Sequence, residues 1–184
     1  MRPSRRHGAT FPRWAAALSL AVTAAVAGPT LAAQAAEPAG GVRDIAWRDA
    51  VVPLPAIGAC PEAPVSFTGG TAETPGHVYR FAPGHEVAFA DVTADGVEDA
   101  LLMIDCGPRN SEYSGSLVAV TVDEEGRPSL LGTVADGPHW MLRPTDFAVE
   151  DGDVVVTMTD WSTETTWVDR YRWSARLGHF ELVG

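Results

Sequence analysis

The chain has 184 residues, with 13 arginines, no lysine and 24 acids, for a net charge of −11. That surface repels phosphate backbones and anionic headgroups, which argues against nucleic acid and anionic membrane as partners. The length suits about one domain.

Residues 1–36 differ in kind from the rest. Arg2, Arg5, Arg6 and Arg13 form a basic start, Ala15 to Ala27 is an apolar run broken only by Ser19 and Thr23, and Ala33-Gln34-Ala35 offers small residues for cleavage. This order predicts a secretory signal peptide cut near Ala35 or Ala36 and exported by the Sec route. The apolar run falls short of the ~20 residues that span a bilayer. No cysteine stands at the cleavage site to carry a lipid, so the mature chain is expected to be extracellular with no membrane attachment. All 24 acids lie from Glu37 onward and four of the 13 arginines precede it, so nine cations face 24 acids, a net −15. The only cysteines, Cys60 and Cys106, predict one disulfide in an oxidising compartment. Closing a loop of about 45 residues is worth on the order of 3–4 kcal/mol.

In the mature chain, residues 37–43 read as a flexible lead-in and 44–184 as a single β domain. Asp44 to Val52 is a first strand, with Trp47 in it and Pro53 and Pro55 stopping it. Val65 to Phe67 and Val78 to Phe81 are short strands, with Thr71 to Gly76 a loop between them. Glu86 to Val92 and Asp99 to Cys106 flank an acidic loop, and the continuous apolar run Ala100 to Ile104 predicts burial on both faces. Gly107 to Gly115 is a loop. Ser116 to Val122 sets Val118, Val120 and Val122 on one face and Leu117, Ala119 and Thr121 on the other. Asp123 to Arg127 turns the chain into Pro128 to Val134. Glu150-Asp151-Gly152 predicts a hairpin between Phe147 to Val149 and Asp153 to Trp161. After a turn at Ser162 to Thr166 come Trp167 to Ser174 and His179 to Val183. Helical periodicity is lacking after the leader, and turn signals recur every 8–12 residues. The expected fold is all-β, an antiparallel meander closed as a sandwich, a barrel or a strongly twisted sheet.

The loop Asp91 to Asp99 has the spacing Asp-x-Thr-x-Asp-Gly-x-x-Asp. Calcium takes six to eight oxygens. Asp91, Thr93, Asp95 and Asp99 would offer side-chain oxygen and Val97 its carbonyl, with Gly96 allowing the bend. The position of the EF-hand glutamate is Leu102, so this is not an EF-hand, and a site of this type would hold calcium at ~10⁻⁴–10⁻³ M. The alternative is an Asx-type turn with no metal.

From Ala88 to Cys106 the chain resembles the FG-GAP or VCBS-type calcium-loop hairpin, close to Asp-x-Asn/Asp-x-Asp-Gly-x-x-Asp followed by a strand. It departs from that form at Ala94, where glycine is usual, and at Thr93. Over its mature length, through Ala46-Trp47, Cys60, Ala90 to Ala100, Cys106 and Tyr171-Arg172-Trp173, it also resembles a class of small exported actinobacterial proteins of unassigned activity. These resemblances imply fold and address more than function.

His77, His85, His139 and His179 lack metal-ligand spacing, and no serine sits in a Gly-x-Ser-x-Gly elbow. Trp140, Trp161 and Trp167 lie in or beside turns, where aromatics form either a sugar or peptide platform or the cap of a β core; for Trp47 and Trp173 core packing is the reading. The expected function is a secreted non-enzymatic module that binds an extracellular protein or cell-wall polymer, with calcium as a stabiliser. The alternatives are a small secreted hydrolase using carboxylates and a histidine, and an exported inhibitor presenting Gly107 to Gly115.

Overall fold

The computed structural model describes residues 40–184 apart from residue 110, so the expected signal peptide lies outside the described residues. The strands are β1 (Val51–Leu54), β2 (Ala63–Ser66), β3 (Thr71–Thr74), β4 (His77–Phe81), β5 (Ala88–Ala90), β6 (Asp99–Gly107), β7 (Ser114–Val122), β8 (Pro128–Asp136), β9 (Leu142–Glu150), β10 (Asp153–Asp160), β11 (Thr165–Ser174) and β12 (His179–Leu182). The only helical elements among the described residues are two single 3-10 turns, Val42–Asp44 and Trp47–Asp49. The fold is all-β and the pairings are antiparallel, as the turn spacing predicts.

The apolar run at residues 100–104 determines the layering. A strand with no polar face must be covered on both sides, and β6 is buried along its whole length. It is the middle of a six-stranded sheet ordered β3-β4-β6-β7-β8, with β5 pairing to the part of β6 that β4 leaves open. Its even-numbered residues Ala100, Leu102 and Ile104, with Val118 and Val120 of β7, join one core with Val52, Leu54 and Val65 of the β1–β2 ribbon and with Trp47. Its odd-numbered residues Leu101 and Met103, with Leu117 and Ala119, join a second core with Val154, Val156 and Met158 of the four-stranded sheet β12-β11-β10-β9. The structure is therefore a three-layer stack with the six-stranded sheet in the middle. The disulfide Cys60–Cys106 ties the ribbon layer to the end of β6, with Cα atoms 6.3 Å apart.

Three sequence expectations need correction. The first strand is not Asp44 to Val52: Trp47 lies in a 3-10 turn, where its indole N–H donates to the Val42 carbonyl at 2.8 Å. Pro53 does not stop the strand that follows. It lies inside β1 opposite Pro64 of β2, and a cross-strand position that exchanges no hydrogen bonds needs no N–H from either ring. Thr71 to Thr74 is an edge strand rather than loop; only Ala72 in it is buried, so alternation gives little signal. Trp47 is core, as expected, and Trp173 packs edge-on against Phe180 at 5.2 Å.

Candidate functional site

The acidic loop closes on itself. The Asp91 carboxylate accepts the backbone N–H groups of Asp95 (3.2 Å) and Gly96 (2.9 Å), and Asp95 accepts that of Val97 (2.8 Å). Asp99 is buried and accepts from Val92 N–H and from the Thr93 hydroxyl, at 3.2 and 3.3 Å. Thr93 Oγ1 also lies 3.5 Å from Asp91, so oxygens of Asp91, Thr93 and Asp99 meet at one place while the Asp95 side chain is turned toward Val97. Among the described residues no three His, Cys, Asp or Glu side chains gather as a metal-holding group. Two positions carry the bend, Gly96 at φ 88° and Ala94 at φ 60°, where an alanine is strained relative to glycine. Burial pushes the Asp99 carboxyl up, against the pull of its hydrogen bonds and with the charge of Asp95 adding to the rise. At the loop's outer edge Arg43 grips Glu98 through two bonds of 2.5 and 2.8 Å and holds its carboxyl below the usual range.

A second site lies at one end of the core between the two larger sheets. Arg80 of β4, Asp105 of β6 and Gly115 of β7 stand in one cross-strand row. Asp105 is an acid in a strand otherwise buried on both faces, and its side chain is only 3% exposed. Such a charge must be paired. Arg80 donates to Oδ2 through Nε (3.2 Å) and Nη2 (3.1 Å), and Arg143 of β9 donates to Oδ1 through Nη1 (3.0 Å). Arg143 reaches it by crossing Gly115, where an added Cβ would come within 2.9 Å of the arginine's Cδ. One glycine therefore lets an arginine of the outer sheet bind an acid of the central one.

Aromatic rings cover this ion triad. The Arg80 guanidinium lies over the Tyr113 ring at 4.0 Å and that of Arg143 over Trp161 at 5.0 Å. Trp161 directly follows β10 and its backbone N–H donates to the Met141 carbonyl at 2.8 Å, which holds it beside the loop bearing Trp140. Arg80, Glu112, Tyr113, Trp140, Arg143 and Trp161 line a cleft of about 270 Å³. Both tryptophans are 44% exposed. Trp167, the third expected platform residue, does not line it; its indole N–H donates to Asp169 at 3.0 Å.

Sequence reasoning named the two tryptophans but missed Arg80, Asp105, Tyr113 and Arg143. Asp105 carried a usable signal, since an acid directly after a run buried on both faces demands a cationic partner, and in a chain without lysine that partner is an arginine or a histidine. No family model, curated protein or solved structure matches this chain.

Proposed function

We propose that the protein is a secreted, non-enzymatic module that binds a cell-wall polymer through the Trp140–Trp161 cleft. The observation that carries this reading is the convergence of two half-exposed tryptophans, from separate turns, on one concavity with charged groups at its base. Aromatic faces with a few fixed polar groups are the usual means of holding a sugar ring or other amphipathic unit. Asp105, the buried acid that holds the cleft's two arginines from behind, is fully committed to them, which supports binding over proton transfer. Trp140→Ala is expected to weaken association with purified cell-wall material at least tenfold, the scale of a central aromatic anchor. Trp167→Ala, outside the cleft, is expected to change it little. Co-sedimentation with wall fragments measures both, and equal retention of the two variants would defeat the reading.

A second reading concerns the acidic loop, and buried Asp99 favours it: no arginine pairs with it among the described residues. A calcium ion at Asp91, Thr93, the Val97 carbonyl and Asp99, with Asp95 swung inward, would supply the missing positive charge. At 10 mM calcium and a Kd near 1 mM, linkage gives about 1.4 kcal/mol, roughly 3–6 °C in a domain of this size. Melting of the mature protein in calcium and in chelator is expected to differ by that amount near neutral pH. The gain should shrink as pH falls through the raised Asp99 value, because the protonated carboxyl no longer attracts the ion. Coincident melts would leave the loop an Asx turn.

A further inference from the structure

We propose that the ligand of the Trp140–Trp161 cleft is an acidic saccharide whose carboxylate docks on the Arg80–Arg143 pair. This rests on the reading of the cleft as a polymer-binding site and adds the charge and chemical class of what it binds.

Two guanidiniums face one carboxylate: Arg80 holds Oδ2 of Asp105 and Arg143 holds Oδ1. Gripping the two oxygens of a single carboxyl places the guanidiniums side by side and leaves one positive charge uncompensated. Glu112 lines the same cleft and offsets part of that charge from a distance, but its carboxylate accepts from the Ser111 hydroxyl at 3.1 Å and makes no direct pair with either arginine.

The donors are also unspent. Arg80 Nη1 and Arg143 Nη2 have no hydrogen-bond partner among the described residues, and neither is sealed from solvent. Arg143 Nε is buried with no acceptor among the described residues. That atom lies beneath the cleft surface, so the donors open to an incoming carboxylate are Arg80 Nη1 and Arg143 Nη2. Both guanidiniums are backed by aromatic rings and held by Asp105, so little side-chain freedom is lost when they engage a second carboxylate.

The neighbouring surface fixes the rest of the ligand. Beside the spare donors stand the indoles of Trp140 and Trp161, which suit the apolar C–H face of a pyranose ring. Glu112 at the rim is an acceptor for ring hydroxyls. A uronic acid residue, or the lactyl-bearing sugar of a glycan strand, presents a C–H face, hydroxyls and one carboxylate within a single unit. The strongly acidic remainder of the chain repels anions in general, the saccharide included, so attraction at this spot has to come from the arginine pair and ring stacking acting together.

The test uses the wild-type mature protein and titration calorimetry with two probes, short oligogalacturonates and peptide-free peptidoglycan glycan strands. Each is compared with its own carboxyl-reduced form, which keeps the linkages and rings and removes the charge. At least one acidic probe is expected to bind at least tenfold more tightly than its reduced counterpart, the loss fitting two charge-assisted bonds. Glu112→Gln leaves the Asp105 triad untouched and is expected to tighten the acidic probe by roughly threefold, more than the reduced one. Equal affinity of acidic and reduced forms would overturn the carboxylate inference and leave the saccharide reading standing. Binding by neither form at millimolar concentration would overturn both.

Discussion

Replacing both cysteines, Cys60→Ala with Cys106→Ala, is expected to lower the unfolding free energy by about 3–4 kcal/mol. The bridge spans 46 positions of sequence and joins two residues that are each 1% exposed. Its loss removes a cross-link from the unfolded ensemble and a packed sulfur pair from the core beneath the β1–β2 ribbon. That ribbon has few other ties. Only two strands pair in it, and a two-stranded ribbon has little stability of its own. Its remaining anchors include apolar contacts through Val52, Leu54, Ile57 and Val65, the packing of Phe67 on Phe81 just after β2, and the Tyr79 hydroxyl donating to the Pro61 carbonyl at 3.1 Å. Tyr79 is the cross-strand partner of Cys106, so hydrogen bond and disulfide hold the same corner. For a domain with roughly 5–15 kcal/mol in total the loss is large, and the melting midpoint should fall by on the order of 10 °C. Amide exchange should quicken first in residues 51–66 and later in β6 and β7, since the second core does not include the bridge. A change under about 1 kcal/mol would mean that the ribbon is held by packing alone.

How much of this was readable from the sequence depended on whether a signal was local. The layering was legible because Ala100 to Ile104 has no polar residue to face water, and the two faces of β7 fell to two cores as its alternation required. The Glu150-Asp151-Gly152 hairpin was legible because a two-residue turn needs positive φ twice; Asp151 and Gly152 adopt 52° and 83°. Trp47 misled because Ile45 and Trp47 alternate as a strand would, while a hydrogen bond from the indole to Val42 closes a tight turn instead. Pro53 misled, because it lies inside a strand, opposite another proline. The candidate cleft was half visible. Tryptophans at turns stand out in a sequence, but what brings Arg80, Tyr113 and Arg143 to them is strand register and the stacking of one sheet on another. No spacing along the chain encodes that stacking.

Asp105→Ala is expected to cost about 3–5 kcal/mol, the range for removing one partner from a buried ionic group. Two guanidiniums, 36% and 26% exposed, would be left side by side without their shared counter-charge. Asp105→Asn keeps the shape and some hydrogen bonding, so it should cost less, about 1.5–3 kcal/mol. A second comparison separates stability from function. Replacing the whole triad with apolar residues, Arg80→Met, Asp105→Leu and Arg143→Met together, removes every charge that needs solvation. It is expected to recover stability to within about 1 kcal/mol of wild type, because well-packed apolar groups commonly match or exceed a buried ion cluster. The same variant should lose discrimination between an acidic glycan and its carboxyl-reduced form while Trp140 still contacts both. Urea unfolding and calorimetry on the four proteins read the two properties independently. If the apolar triad were several kcal/mol less stable than wild type, Asp105 and its arginines would be a structural clamp, and the site argument would have to rest on the tryptophans alone. Recovered stability with lost charge selectivity is the outcome that the geometry supports: three charges at the end of a core, held by a glycine gap and two aromatic rings, kept for what they bind.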